Sequence, residues 1–87
     1  MGFICIAPVI AAKVLGELRP TLTIGHDPDT AAAINNLGAV HQDCKVDDIV
    51  IDTANKLVST PAYMVGPSIA PVAAGIDKLV AQIVEMI

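Results

Sequence analysis

The first fifteen residues pass from a short apolar run, Gly2-Phe3-Ile4, through Cys5 into apolar and small residues that continue at helical spacing to Leu15. That is the order strand, tight turn, helix, and it leaves few folds open. Pro8 suits the first helical turn, where its missing N–H costs little, and Gly16 suits the helix end, so a helix is predicted over 8–15. Thr21-Leu22-Thr23-Ile24 then has the composition of a buried strand ending at Gly25-His26-Asp27. Asp29 or Thr30 can cap a short helix that runs to Asn36 and stops at Gly38. The resulting β-α-β-α order predicts parallel strands with right-handed crossovers. It also sets the strand ends that carry Cys5 and His26 along one edge of the sheet.

The second half changes character. Val40 to Asp43 can form a short strand, and Asp48–Asp52 and Lys56–Thr60 flank the turn residues Thr53-Ala54-Asn55, the pattern of a β-hairpin ended by Pro61. From Ser68, the expected N-cap, the residues Ile69, Val72, Ala73, Ile76, Leu79, Val80, Ile83 and Val84 follow the three-four spacing of a helix with one buried face. No repeat, low-complexity tract or linker divides the chain.

Of the 87 residues, 54% are hydrophobic and only 16% charged, while Phe and Tyr occur once each and Trp not at all. Aliphatic residues in that excess suit strands covered on both faces by helices. They also leave more apolar surface than a core this small can absorb. The chain is therefore expected to be a single partial domain over 1–87, associating with a second copy or with a chain that supplies the rest of the fold. A net charge of −4, with basic residues scattered at 13, 19, 45, 56 and 78, argues against a nucleic-acid partner. Two cysteines form no disulfide framework, so a reducing, cytoplasmic setting is expected. The run from Phe3 to Ala12 lacks a preceding basic segment and contains Pro8, and no apolar run approaches the roughly 20 residues of a membrane span. Neither a signal peptide nor a membrane partner is expected.

Cys5 is the first candidate for chemistry. At a strand-to-helix turn its sulfur stands at the end of a strand and near the positive end of a helix, and both effects favour a nucleophilic thiolate. The alternative is an inert buried thiol. His26, at the end of the next strand, is placed to serve as a general base, or is simply solvated. Asp27 and Asp29 orient that imidazole or cap the following helix. His41 and Cys44, with Asp43, Asp47 and Asp48, superficially resemble a metal cluster, but no second pair of soft ligands follows at a zinc-like spacing. No metal and no cofactor are expected.

Six stretches carry a resemblance. They are Gly2-Phe3-Ile4-Cys5-Ile6-Ala7-Pro8, Leu22-Thr23-Ile24-Gly25, Val46-Asp47-Asp48-Ile49-Val50, Asn55-Lys56-Leu57-Val58, Thr60-Pro61-Ala62-Tyr63-Met64 and Gly75-Ile76-Asp77-Lys78-Leu79-Val80. In order and spacing the chain resembles the C-terminal part of the enhancing lycopene biosynthesis (isoprenoid biosynthesis) protein family, within the PfpI and class I glutamine amidotransferase-like superfamily. The resemblance implies an α/β chain forming the C-terminal portion of a flavodoxin-like three-layer α/β/α sandwich, with a β-hairpin and a long C-terminal helix. It puts the reactive cysteine of a nucleophile elbow at Cys5. Some members of the superfamily are glutathione-independent glyoxalases, which convert a small dicarbonyl such as glyoxal into a hydroxy acid, and a small carbonyl substrate is implied here. Attack on an aldehyde would create an oxyanion needing donors such as the backbone N–H of Ile6 plus one from another loop. Thr60, Pro61 and Tyr63 would line the pocket beside the thiol, although a strand-ending proline and a half-buried tyrosine need no ligand to explain them. The expected enzyme type is glyoxalase-like, and the expected behaviour of the chain alone is inactivity. The competing reading is a non-catalytic fragment or assembly subunit.

Overall fold

A computed structural model describes residues 1–65 and 68–86. Strand β1 (Gly2–Ile4) leads through Cys5 and Ile6 into helix α1 (Ala7–Leu15), which continues as a single 3₁₀ turn over Gly16–Leu18. Then come β2 (Thr21–Leu22), α2 (Pro28–Asn36), β3 (Val40–His41), β4 (Val50–Asp52), β5 (Leu57–Thr60) and the long helix α3 (Ile69–Met86). The expected alternation and hairpin are both present. The fold is mixed α/β, as predicted.

The strand pairing is less uniform than one continuous sheet. β1 runs parallel to β5, with Phe3 opposite Ser59, and β4 runs antiparallel to β5, with Ile51 opposite Val58. β2 pairs with β3, also parallel. β2 joins the hairpin through side chains rather than through a ladder. The Thr21 N–H donates to Asp52 Oδ2 at 2.8 Å and the Thr23 N–H to Ser59 Oγ at 3.0 Å. Asp52 also accepts from the Asn55 N–H and amide, closing the hairpin turn. Burial of Asp52 opposes its charge, yet the bonds from Asn55, Thr21 and Ala54 outweigh that effect and hold its carboxyl below the ordinary value.

Helices cover both faces of β1. A Cβ added at Gly2 would meet Leu79 and Ile83 of α3, whereas Phe3, one residue on and on the opposite side of the pleat, packs onto a core built from Ala11, Ala12, Leu22, Ile24, Ile34, Ala39 and Leu57. Small residues at 11 and 12 let α1 lie close. Gly16 was expected to end α1 through its backbone freedom, but its φ of −55° is ordinary. The reason for glycine there is packing, since a Cβ would strike the Leu37 carbonyl where α1 and α2 converge. Gly38, at φ 105°, does end α2 in the left-handed region. The α2 cap is Asp27 rather than Asp29 or Thr30, because Pro28 takes the first helical position and Thr30 becomes the donor, its N–H reaching Asp27 Oδ2 at 3.1 Å.

Candidate functional site

Cys5 adopts φ 62°, a left-handed conformation that costs a non-glycine residue about 1–2 kcal/mol. The turn holds because its flanks are fixed. The Cys5 N–H donates to the Thr60 carbonyl at 3.1 Å, continuing the β1–β5 ladder one residue past the strand, and the Val9 N–H donates to the Ile6 carbonyl at 3.0 Å, opening α1. Strand, strained residue and helix therefore succeed one another within five positions, the geometry of a nucleophile elbow. Cys5 is a partly exposed residue and its thiol is in no disulfide. Ile6 is exposed, and among the described residues its N–H has no backbone hydrogen-bond acceptor.

Thr60 supports this turn through its carbonyl, and Pro61 follows it in the chain. Thr60 is fully buried, and its hydroxyl donates to the Asp48 carbonyl at 2.7 Å, so what it offers the elbow is a backbone carbonyl. A close approach by α3 accompanies that bond, because a Cβ at Gly75 would lie 2.8 Å from Thr60 Oγ1. Pro61 is buried against Gly25, which has φ 107° and whose Cβ would meet Pro61 and Val65. The ends of β1, β5 and the Thr21–Ile24 segment thus come together, as the strand order predicts. Tyr63, expected half-buried, is 62% exposed in a 3₁₀ turn over Ala62–Met64. Ala62, the buried residue of that turn, takes the interior place instead.

His26 is exposed and lines an open cleft of about 390 Å³ together with Asp43, Cys44 and Lys45. Cys5 is not part of that lining. The two cysteines differ in surroundings. The Cys44 N–H donates to the Gly25 carbonyl at 3.1 Å, and its Sγ lies 3.3 Å from the Lys45 carbonyl. Burial first, then the carboxylates of Asp48 and Asp47, push the Cys44 thiol up to about 11 against the opposing charge of Lys78. It is a protonated thiol at neutral pH. Asp27, exposed beside His26, is spent on the α2 cap, where the bond from the Thr30 hydroxyl holds its carboxyl below the ordinary value.

His41 has a role that the sequence hid. Its side chain is 4% exposed, and its Nε2 accepts the Ile24 N–H at 3.3 Å, while Asp43 lies 3.7 Å from Nδ1. Burial lowers its tendency to protonate, against the pull of Asp43. An acceptor at Nε2 requires a neutral ring. Val40 and His41 reverse the pattern that hydropathy favours, with Val40 46% exposed. A two-residue strand offers no periodicity from which to read that reversal. Among the described residues no group of three or more His, Cys, Asp or Glu side chains could hold a metal ion.

The fold and the elbow define a class: an amidotransferase-like α/β chain. No protein-family model matches the sequence. It is 37% identical over 99% of its length to the human "glutamine amidotransferase-like class 1 domain-containing protein 3, mitochondrial", and 35% identical over 99% to the rat "ES1 protein homolog, mitochondrial". A crystal structure from Ehrlichia chaffeensis, described as an isoprenoid biosynthesis protein with amidotransferase-like domain, superposes on 97% of the chain with a TM-score of 0.86 at 32% identity. The chain belongs to this amidotransferase-like, isoprenoid biosynthesis protein family. It spans 35% of the length of the human and rat relatives and 39% of the Ehrlichia chain. Among its described residues no helix is long and apolar enough to cross a membrane.

Proposed function

We propose that this chain carries the nucleophile of a cysteine-dependent, glyoxalase-like activity on small dicarbonyls. The observation that supports it most is Cys5, a partly exposed residue at φ 62°, between the end of β1 and the start of α1. In this reading the Cys5 thiolate adds to one carbonyl of glyoxal and forms a hemithioacetal. The Ile6 N–H stabilises the oxyanion, an interaction worth about 3–4 kcal/mol where such a donor is well placed. A proton moves from the sulfur-bearing carbon to the neighbouring one through an enediol, leaving a glycolyl thioester, and water then releases glycolate and regenerates the thiol. Every atom of glyoxal and of one water is retained. The base for the proton shift is assigned to His26 or to a group outside the matched third of the family fold. Thr60 serves by fixing the elbow through its carbonyl, and Pro61 by packing against Gly25. No cofactor enters the scheme.

The alternative is a non-catalytic assembly fragment, favoured by the share of the relatives' length that this chain covers. A reducing compartment is proposed with it, the cytoplasm first. The mitochondrion, which the human and rat relatives' names specify, comes second. The test is glyoxal consumption with glycolate formation by the purified chain, alone and with the remaining portion of a full-length relative added, each compared with Cys5→Ala. Turnover abolished by that substitution supports catalysis. Glyoxal loss at equal rates in both proteins contradicts it.

A further inference from the structure

β5 is buried from Leu57 to Thr60, yet its last two residues carry hydroxyls where a strand covered on both faces ordinarily carries aliphatic side chains. The pleat sends the two hydroxyls to opposite faces. Ser59 accepts the Thr23 N–H on one face, and Thr60 donates to the Asp48 carbonyl at 2.7 Å on the other. That carbonyl belongs to a closed turn, because the Asp48 N–H donates to the Lys45 carbonyl at 3.1 Å. α3 encloses the hydroxyl further. A Cβ at Gly75 would strike the Val46 carbonyl and lie 2.8 Å from Thr60 Oγ1, so the hydroxyl sits between a fixed acceptor and a helix backbone. Thr60 is also the register partner of Ile4, and its own carbonyl takes the N–H of Cys5, the next residue, at φ 62°. Hydroxyl and carbonyl share one Cα, and a β-branched side chain is stiff, so an anchor on the first is an anchor on the second.

We infer that Thr60 is a positioning residue for Cys5: its buried hydroxyl, held by the 45–48 turn and by α3 at Gly75, fixes the carbonyl that keeps Cys5 in its left-handed conformation. Valine has the same branched shape and fills the same space, but it has no proton to give to the Asp48 carbonyl. Threonine at this position is therefore assigned to that one bond rather than to packing. A Cys5 released from its angle leaves its place at the start of α1, whose positive end favours a thiolate. This consequence for reactivity rests on the reading of Cys5 as a nucleophile, whereas the placement of the elbow by Thr60 does not.

The test is amide hydrogen exchange, followed residue by residue by NMR, in the unaltered chain, Thr60→Val and Thr60→Ser. Exchange of the Cys5 N–H is expected to quicken at least about tenfold in Thr60→Val. The Val58 N–H, bonded to the Met1 carbonyl at the other end of the same ladder, is expected to keep its rate. Iodoacetamide at pH 7 is expected to label Cys5 in Thr60→Val at least about threefold more slowly than in the unaltered chain. Thr60→Ser, which keeps the hydroxyl, is expected to restore both rates. A Cys5 N–H equally protected in all three chains, or a measurable labelling rate at Cys5 that Thr60→Val leaves unchanged, would overturn the inference. So would equal loss of protection at Cys5 and Val58, or an unfolded Thr60→Val, since either makes the bond a support of the whole ladder rather than of the elbow. Failure of the unaltered chain to label at Cys5 would instead end the nucleophile reading, and the exchange rates would still decide the place of Thr60.

Discussion

Cys5 concentrates the constraints on this molecule in one backbone angle. A left-handed residue with a side chain is held against its preference by the Thr60 carbonyl on one side and the first turn of α1 on the other. Glycine adopts that angle without penalty, so Cys5→Gly is expected to unfold at higher denaturant than Cys5→Ala, by about 1 kcal/mol. Equilibrium unfolding in urea measures the difference, and equal midpoints would mean that the angle is unstrained. Burial and two neighbouring carboxylates keep the Cys44 thiol protonated to about pH 11, in a chain where the other cysteine stands partly exposed at a strand end. The first turn could be read directly from residues 2–8, because an apolar run, a single cysteine and a proline at the start of a helix leave little other order. The surroundings of Cys44 could not, since they depend on Gly25, Asp48 and Lys78 meeting from separate segments.

At the level of elements, β2 is the joint of the structure. It bonds to β3 by its backbone and to the hairpin through Asp52, and the two residues that follow it, Thr23 and Ile24, bond to Ser59 and to the buried ring of His41. That ring contributes to stability only while neutral. Burial depresses its folded pKa below the ordinary 6.5, so its contribution is fully present above that pH and is lost as pH falls through the lower folded value. The urea midpoint is expected to drop between pH 7.5 and 5, and the drop is expected to shrink in His41→Gln; an unchanged pH profile in the variant would remove His41 from the joint. Helices and hairpin were legible because their periods and turn residues are local. The division of the strands into a three-stranded and a two-stranded sheet was not, because it rests on side chains of β4 and β5 capping the N–H groups of the Thr21–Thr23 segment. Gly16 makes the same point, its Cα position being dictated by a carbonyl of another helix.

Across the whole molecule, a family fold is represented by about a third of its relatives' length, and the apolar excess seen in composition reappears as the exposed side chains of Ile6, Ile10 and Val14. The core beneath α1 and α2 is closed, while the groove lined by Met1, Phe3, Ile10 and Val14 is open. The central claim is that Cys5 is the reactive thiol of the folded chain. It is tested most directly by brief alkylation of the native protein with iodoacetamide at pH 7, followed by peptide mapping. The account predicts that label accumulates on Cys5 and reaches Cys44 only after unfolding; label on Cys44 first, or on neither residue until the chain is denatured, would contradict it.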